Sequence, residues 1–158
     1  MCRATSGNRV SGPVLERLHG MKNWRAPALI QIPGRDDDRG SLLSVEWGEQ
    51  LPFEPKRFYF VRNARPDVRR GGHAHWKEQE VILALAGGFT ITADTGSERF
   101  EYRLEPSRAL YIPTLIWHEL YDFSDGAVCA VFASEPHYDE ADYCRDYQEF
   151  LRLTDGCG

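Results

Sequence analysis

Residues 69–80 read RRGGHAHWKEQE. His73 and His75 stand two apart, so on a β-strand they project from one face while Ala74 points to the other. At about 3.3 Å of rise per residue their Cβ atoms would lie roughly 6–7 Å apart. Two parallel imidazoles so spaced can address two neighbouring atoms of one ligand, or converge on one metal ion. Gly71 and Gly72, just before them, let backbone or ligand come close. Arg69 and Arg70, with Arg65 nearby, make a positive spot suited to a small anionic ligand.

Outward from this stretch the pattern is that of strands. SLLSVEW, RFYFVR, EVILALA, FTITAD, RFEYRL, ALYIP, IWHELYDF and AVCAVFAS are short runs rich in β-branched and aromatic residues. PFEP, NARPD, AGG, DTGS, EPS and SDG punctuate them. Many short strands at a spacing of roughly ten residues predict an all-β sandwich or barrel. The end of the chain differs. YDEADYCRDYQEFLRL places Tyr143, Tyr147, Phe150 and Leu151 at helical spacing, which predicts a C-terminal helix capped by Asp139 and closed by Gly156. Residues 1–25 lack a clear period and are predicted to be a flexible extension, with a short helical turn at VLERLHGM. Residues 26–158 are predicted to form the single domain.

Composition narrows the function. A length of 158 residues suits one domain with a real core. A formal net charge of −5 argues against a nucleic-acid partner, since no basic excess exists to release phosphate counterions. The four cysteines, Cys2, Cys129, Cys144 and Cys157, form no CxxC pair and no disulfide framework. They read as free thiols of a cytoplasmic protein. The sequence shows neither a membrane span nor the apolar core of a signal peptide.

Glu80 follows His75 after four residues, Gly87 follows Glu80 after six, and Pro113 precedes His118 by five. This set resembles the two motifs of the cupin superfamily, small jelly-roll β-barrels with the site in the barrel mouth. The second motif usually has glycine where this chain has Leu115. A finer series, DDRGSLLSVEWGEQLPFEPKRFYF, RRGGHAH, IPTLIWHELYDFS and YDEADYCRDYQEFLRL, resembles the cupin-type dTDP-sugar 3,4-ketoisomerases. The resemblance covers about residues 26–153, nearly the whole domain.

The resemblance implies an all-β cupin barrel with a C-terminal α-helix. It implies conversion of dTDP-4-keto-6-deoxyglucose to a 3-keto-6-deoxyhexose without a cofactor, in deoxysugar biosynthesis, often of a 3-amino sugar. Histidine suits such chemistry because both of its forms are accessible near neutrality. Carried over, His73 is the base at C3 and His75 the shuttle between the oxygens. Arg70, Tyr59, His118 and Tyr121 are the substrate-binding candidates: Arg70 for the pyrophosphate or sugar, Tyr59 for charge on oxygen, His118 for orientation, and Tyr121 among the aromatics that could stack on the thymine. His19 and His137 carry no supporting pattern and read as surface residues. The resemblance further implies a homodimer, with ALIQIP as a strand open to exchange.

Glu80 departs from the family, whose members tend to carry glutamine there. With it, His73, His75, Glu80 and His118 make a complete cupin metal set, so a metal-dependent cupin enzyme is the rival reading. A third is a sugar-nucleotide-binding cupin without catalysis.

Overall fold

A strand with one apolar face needs a second layer to cover it, and in this computed structural model two sheets cover each other. Residues 14, 15 and 25–155 are described. The larger sheet runs β1 (Val14–Leu15), β2 (Ala28–Gln31), β10 (Arg108–Ile112), β7 (Glu80–Ala86), β12 (Val128–Ala133) and β5 (Arg57–Arg62). The smaller runs β13 (Tyr143–Cys144), β6 (Arg70–His75), β11 (Trp117–Tyr121), β8 (Phe89–Asp94) and β9 (Arg99–Leu104). A separate hairpin, β3 (Gly34–Asp37) with β4 (Gly40–Leu43), has exposed residues throughout. The result is the all-β jelly-roll barrel that the strand pattern predicts.

The inner faces meet in one core that includes Ile82, Phe89, Ile91, Leu104, Leu110 and Phe123. A second cluster lies where Val45, Leu51 and Phe53 pack with Val81 and Leu83. β7 is thus covered on both faces, which explains why EVILALA is a continuous apolar run and not an alternating one. β5 alternates strictly and leaves Phe58 and Phe60 exposed.

Three local expectations need correction. The C-terminal helix, α1, spans only Tyr147–Thr154, and its cap is Asp146, whose side chain accepts from the backbone N–H groups of Gln148 and Glu149. Asp139 caps a separate 3-10 turn, Glu140–Asp142, and Tyr143–Cys144 are extended and pair with β6. Aspartates at 139 and 146 offer competing caps, and the later one starts the helix. Only residues 41–43 of the predicted strand SLLSVEW are extended in the hairpin, while Val45 turns into the second cluster. Val14–Leu15 form a strand parallel to β2 where a helical turn was expected. Gly156 and the rest of the N-terminal extension lie outside the described residues.

Ala28–Gln31, the strand expected to be open to exchange, pairs here with β10 of its own chain. Phe150 of α1 is fully buried against Trp117, Ala74 and Cys144, so the helix closes the outside of β6 and β11. Burying one such phenylalanine contributes roughly 1.5–3 kcal/mol. No helix among the described residues is long and apolar enough to cross a membrane.

Candidate active site

β6 and β11 pair antiparallel with His73 opposite His118. The register then slips, so Gly71 faces Glu119 and Gly72 is the extra residue of a bulge. Gly71 has φ +79°, and a Cβ there would sit 2.6 Å from the His118 carbonyl oxygen. Only glycine lets the strands approach so closely, and that approach aligns the two imidazoles. Leu115, in place of the usual motif glycine, has φ +56°, a left-handed conformation that glycine adopts freely. Its N–H donates to the His75 carbonyl at 2.8 Å.

The two sheets open on a cavity of about 530 Å³. His73, His118, Glu80, Tyr59 and Tyr143 line its polar wall, while Ile82, Leu120 and Val131 are apolar. Rings of His73 and His75 meet edge to face at 4.8 Å between centroids, and His73 and His118 do so at the same distance. Suitable nitrogens of the three imidazoles lie within 4.8 Å of one another. His75 is buried behind this wall and does not line the cavity. Its Nδ1 lies 3.1 Å from Asp142 Oδ2.

Glu80 ties the wall together. Tyr59 donates its hydroxyl to Glu80 Oε1 at 2.7 Å, and His118 Nε2 lies 3.3 Å from Glu80 Oε2. The second contact is poorly aligned, so Oε2 has charge contact without a directed hydrogen bond.

Arg70 lines the cavity and is exposed, where it can reach an anionic ligand. Arg57, Arg69 and Arg145 line it too. Each has a carboxylate partner: Arg57 with buried Glu78, Arg69 with Glu119, and Arg145 with Glu140. Arg65 stays on the surface beside Asp67. Tyr121 is not among the cavity residues: its hydroxyl donates to Glu101 and Arg69 lies over its ring at 4.3 Å. In β11, His118 and Leu120 face the cavity, so alternation turns Tyr121 away, and the stacking role expected of it has no geometric basis here. His137 is exposed, as expected.

Tyr143 and Asp142 were missed because their stretch was read as helix. Extended backbone brings Tyr143 opposite His75, with ring centroids 4.5 Å from His75 and 4.7 Å from His73. The DYxRxY pattern was the available signal. It holds Asp142, Tyr143 and Arg145, three residues of the site and its immediate support.

The family described as FdtA, WxcM-like C-terminal, matches residues 25–155. A curated relative, the TDP-4-oxo-6-deoxy-α-D-glucose 3,4-oxoisomerase of Aneurinibacillus thermoaerophilus, is 39% identical over 117 residues, covering 73% of this chain and 84% of the relative. The chain belongs to this family of 3,4-ketoisomerases. It is an isomerase with a cupin barrel. The sugar 3,4-ketoisomerase QdtA from Thermoanaerobacterium thermosaccharolyticum, solved in complex with TDP, superposes with a TM-score of 0.79 at 34% identity, covering 85% of this chain and 98% of that one. A 3,4-ketoisomerase from Helicobacter canadensis gives 0.77 at 35% identity, covering 82% and 97%.

Charge states in the ketoisomerase site follow from burial and neighbours. Burial holds His73 well below the ordinary histidine value, at about 3, and His118 and His75 add to this. Burial likewise lowers His75. Burial disfavours the His118 cation too, but Glu80 against it outweighs that, and its pKa is raised. Burial disfavours the Glu80 anion, and His118 more than offsets it, so that carboxylate is held low. Burial and the nearby Glu80 charge keep the Tyr59 phenol protonated. Burial, then the Glu80 charge, raises Glu78 to about 7.

A pH profile follows. His73 stays neutral and His118, raised above its ordinary 6.5, cationic across mildly acidic pH, so kcat/KM is expected to hold level between about pH 5 and 6.5. An acid limb centred near 6.5, the ordinary histidine value, would show that the base is not a group held as His73 is.

Proposed function

We propose that this protein converts TDP-4-keto-6-deoxyglucose to a TDP-3-keto-6-deoxyhexose by histidine acid/base catalysis through an enediol, the expected precursor of a 3-amino sugar. The observation that carries the reading is His73 on the cavity wall, its Nδ1 buried without a hydrogen-bond partner, beside His118 facing Glu80 and a Tyr59 hydroxyl that donates to Glu80. The relative's name and the TDP complex of the structural neighbour support the substrate class.

The substrate carries hydrogen and hydroxyl at C3 and a carbonyl at C4. His73 takes the C3 proton, and the electron pair forms the C3–C4 double bond while negative charge moves to O4. The positive charge of the His118 imidazolium, which lines the cavity, stabilises that negative charge through space. A proton leaves O3 and is returned to O4 through the imidazole cluster, with His75 as the relay; the nitrogens lie within 4.8 Å of one another. The O3 electron pair then forms the C3 carbonyl as the C3–C4 double-bond pair takes a proton at C4 from the imidazole cluster, which holds the one removed from C3. Arg70 at the cavity wall suits the pyrophosphate oxygens.

The metal-dependent reading draws on the same residues: suitable nitrogens of His73, His75 and His118 lie within 4.8 Å of one another, so the two readings compete for the same atoms. Glu80 is engaged by Tyr59 on one oxygen and faces His118 Nε2 with the other. His118 Nδ1 lies 3.2 Å from the Ile116 carbonyl, and its Nε2 is the nitrogen nearer Glu80. A binding module without catalysis has no need of such paired groups. The test is conversion of TDP-4-keto-6-deoxyglucose in excess EDTA, with the product identified by NMR. Activity is expected to be unaffected. Loss on chelation, restored by one metal, would overturn the reading. A homodimer, of which ALIQIP is the strand open to exchange, belongs to the same proposal.

A further inference from the structure

Asp142 is buried at the end of the 3-10 turn, outside the cavity and behind β6. Its carboxylate has three contacts. Lys77 N–H donates to Oδ1 at 2.6 Å, Glu78 N–H donates to Oδ2 at 3.1 Å, and His75 Nδ1 lies 3.1 Å from the same Oδ2. Two of these groups are backbone donors, so both oxygens act as acceptors, and the His75 nitrogen between them and the ring must be the donor. The proton of the neutral imidazole is therefore on Nδ1, and the lone pair is on Nε2.

That Nε2 is buried and has no hydrogen-bond partner. The carboxylates nearest to it, Glu78 Oε1 at 3.8 Å and Glu80 Oε1 at 3.9 Å, accept from Arg57 and Tyr59. A buried acceptor without a donor is costly unless something supplies a proton. Here the nearby imidazoles can, their nitrogens lying within 4.8 Å.

We infer that Asp142 is a positioning residue that fixes His75 as the Nδ1–H tautomer, so that Nε2 is the atom that takes and returns the proton. The inference rests on the isomerase mechanism above. A simpler role for Asp142, clamping the C-terminal segment to the barrel, is already filled by the backbone. Trp76 N–H donates to the Asp142 carbonyl at 2.9 Å, and Tyr143 and Cys144 pair with His75 and Ala74. The side chain adds an orientation of the ring that those bonds do not provide.

The first measurement uses the unaltered protein. In the spectrum of ¹⁵N-histidine-labelled enzyme, His75 is expected to be protonated at Nδ1 and bare at Nε2. The opposite tautomer overturns the inference. The second compares Asp142→Asn with wild type at equal folded fraction. The kcat is expected to fall by roughly 10²-fold or more, with KM within about threefold. In a His75→Gln background the same substitution is expected to add no further loss, since Asp142 acts only through that ring. An Asp142→Asn enzyme that keeps its kcat, or an additive loss in the double variant, overturns the inference. If Asp142→Asn fails to fold, the tautomer in the wild-type spectrum decides. Wild-type enzyme without 3,4-ketoisomerase activity would defeat the function proposed above instead, and leave the tautomer to be read on its own.

Discussion

Replacing His73 by asparagine is expected to lower kcat by about 10³-fold and to stop solvent deuterium from entering at C3. Asparagine keeps a polar group of similar reach but cannot accept a proton at neutral pH. His73 lines the cavity, and its Nδ1 is buried without a hydrogen-bond partner. Burial, followed by the neighbouring imidazoles, holds it neutral in the free enzyme. A base held at about 3 is weak at rest, but the enediolate charge that forms beside it raises its proton affinity as the proton moves. Substrate binding should change little, because Arg70 and the apolar wall remain. The measurement is ¹H NMR of recovered sugar nucleotide after incubation in deuterium oxide. Exchange at C3 at the wild-type rate in His73→Asn would remove His73 as the base.

Glu80→Ala is expected to destabilise the fold by about 3–5 kcal/mol, whereas Glu80→Gln should cost far less and keep part of the activity. Alanine leaves the Tyr59 hydroxyl and the His118 ring facing a void in a buried wall. Glutamine can still accept from Tyr59. The sign of the pH effect follows from the two shifts. Glu80 is lowered, so its contribution is full above its ordinary 4.5 and is lost as pH falls through the folded value. His118 is raised, so its contribution is full below its ordinary 6.5 and is lost as pH rises through the folded value. The pair therefore stabilises most between those ordinary values, and that maximum should vanish in Glu80→Ala. Denaturant midpoints across pH test this, and an unchanged profile in the alanine variant would refute the pairing.

The barrel was legible because period-2 apolar patterning and turn residues are local, and each strand carries its own record. HAH on one face of β6 followed from period 2, and His118 entering the barrel from another strand followed from motif order; its place directly opposite His73 came from the structure. The division between His73 on the cavity wall and His75 behind it did not follow from the sequence either, since period 2 places both on one face and says nothing of depth. Tyr121 lies three residues after His118 on the same strand, so the period of two already set the two side chains on opposite faces, and that signal went unused. Tyr143 and Asp142 escaped because an i, i+4, i+7 pattern of aromatics overlaps a capped helix with a strand before it. The partnership of Glu80 with both Tyr59 and His118 joins three strands, and no single stretch of sequence displays it.

β6 carries both HAH histidines and is completed on one side by β11 and on the other by β13. The latter strand brings Tyr143 opposite His75, sixty-eight positions further along the chain. During synthesis the barrel strands through β12 emerge before β13 does. A nascent chain can bury its core while His75 still lacks Asp142 and Tyr143. On the ribosome, catalytic competence therefore waits for the C-terminal segment to emerge and dock against β6, after every other barrel strand is already available.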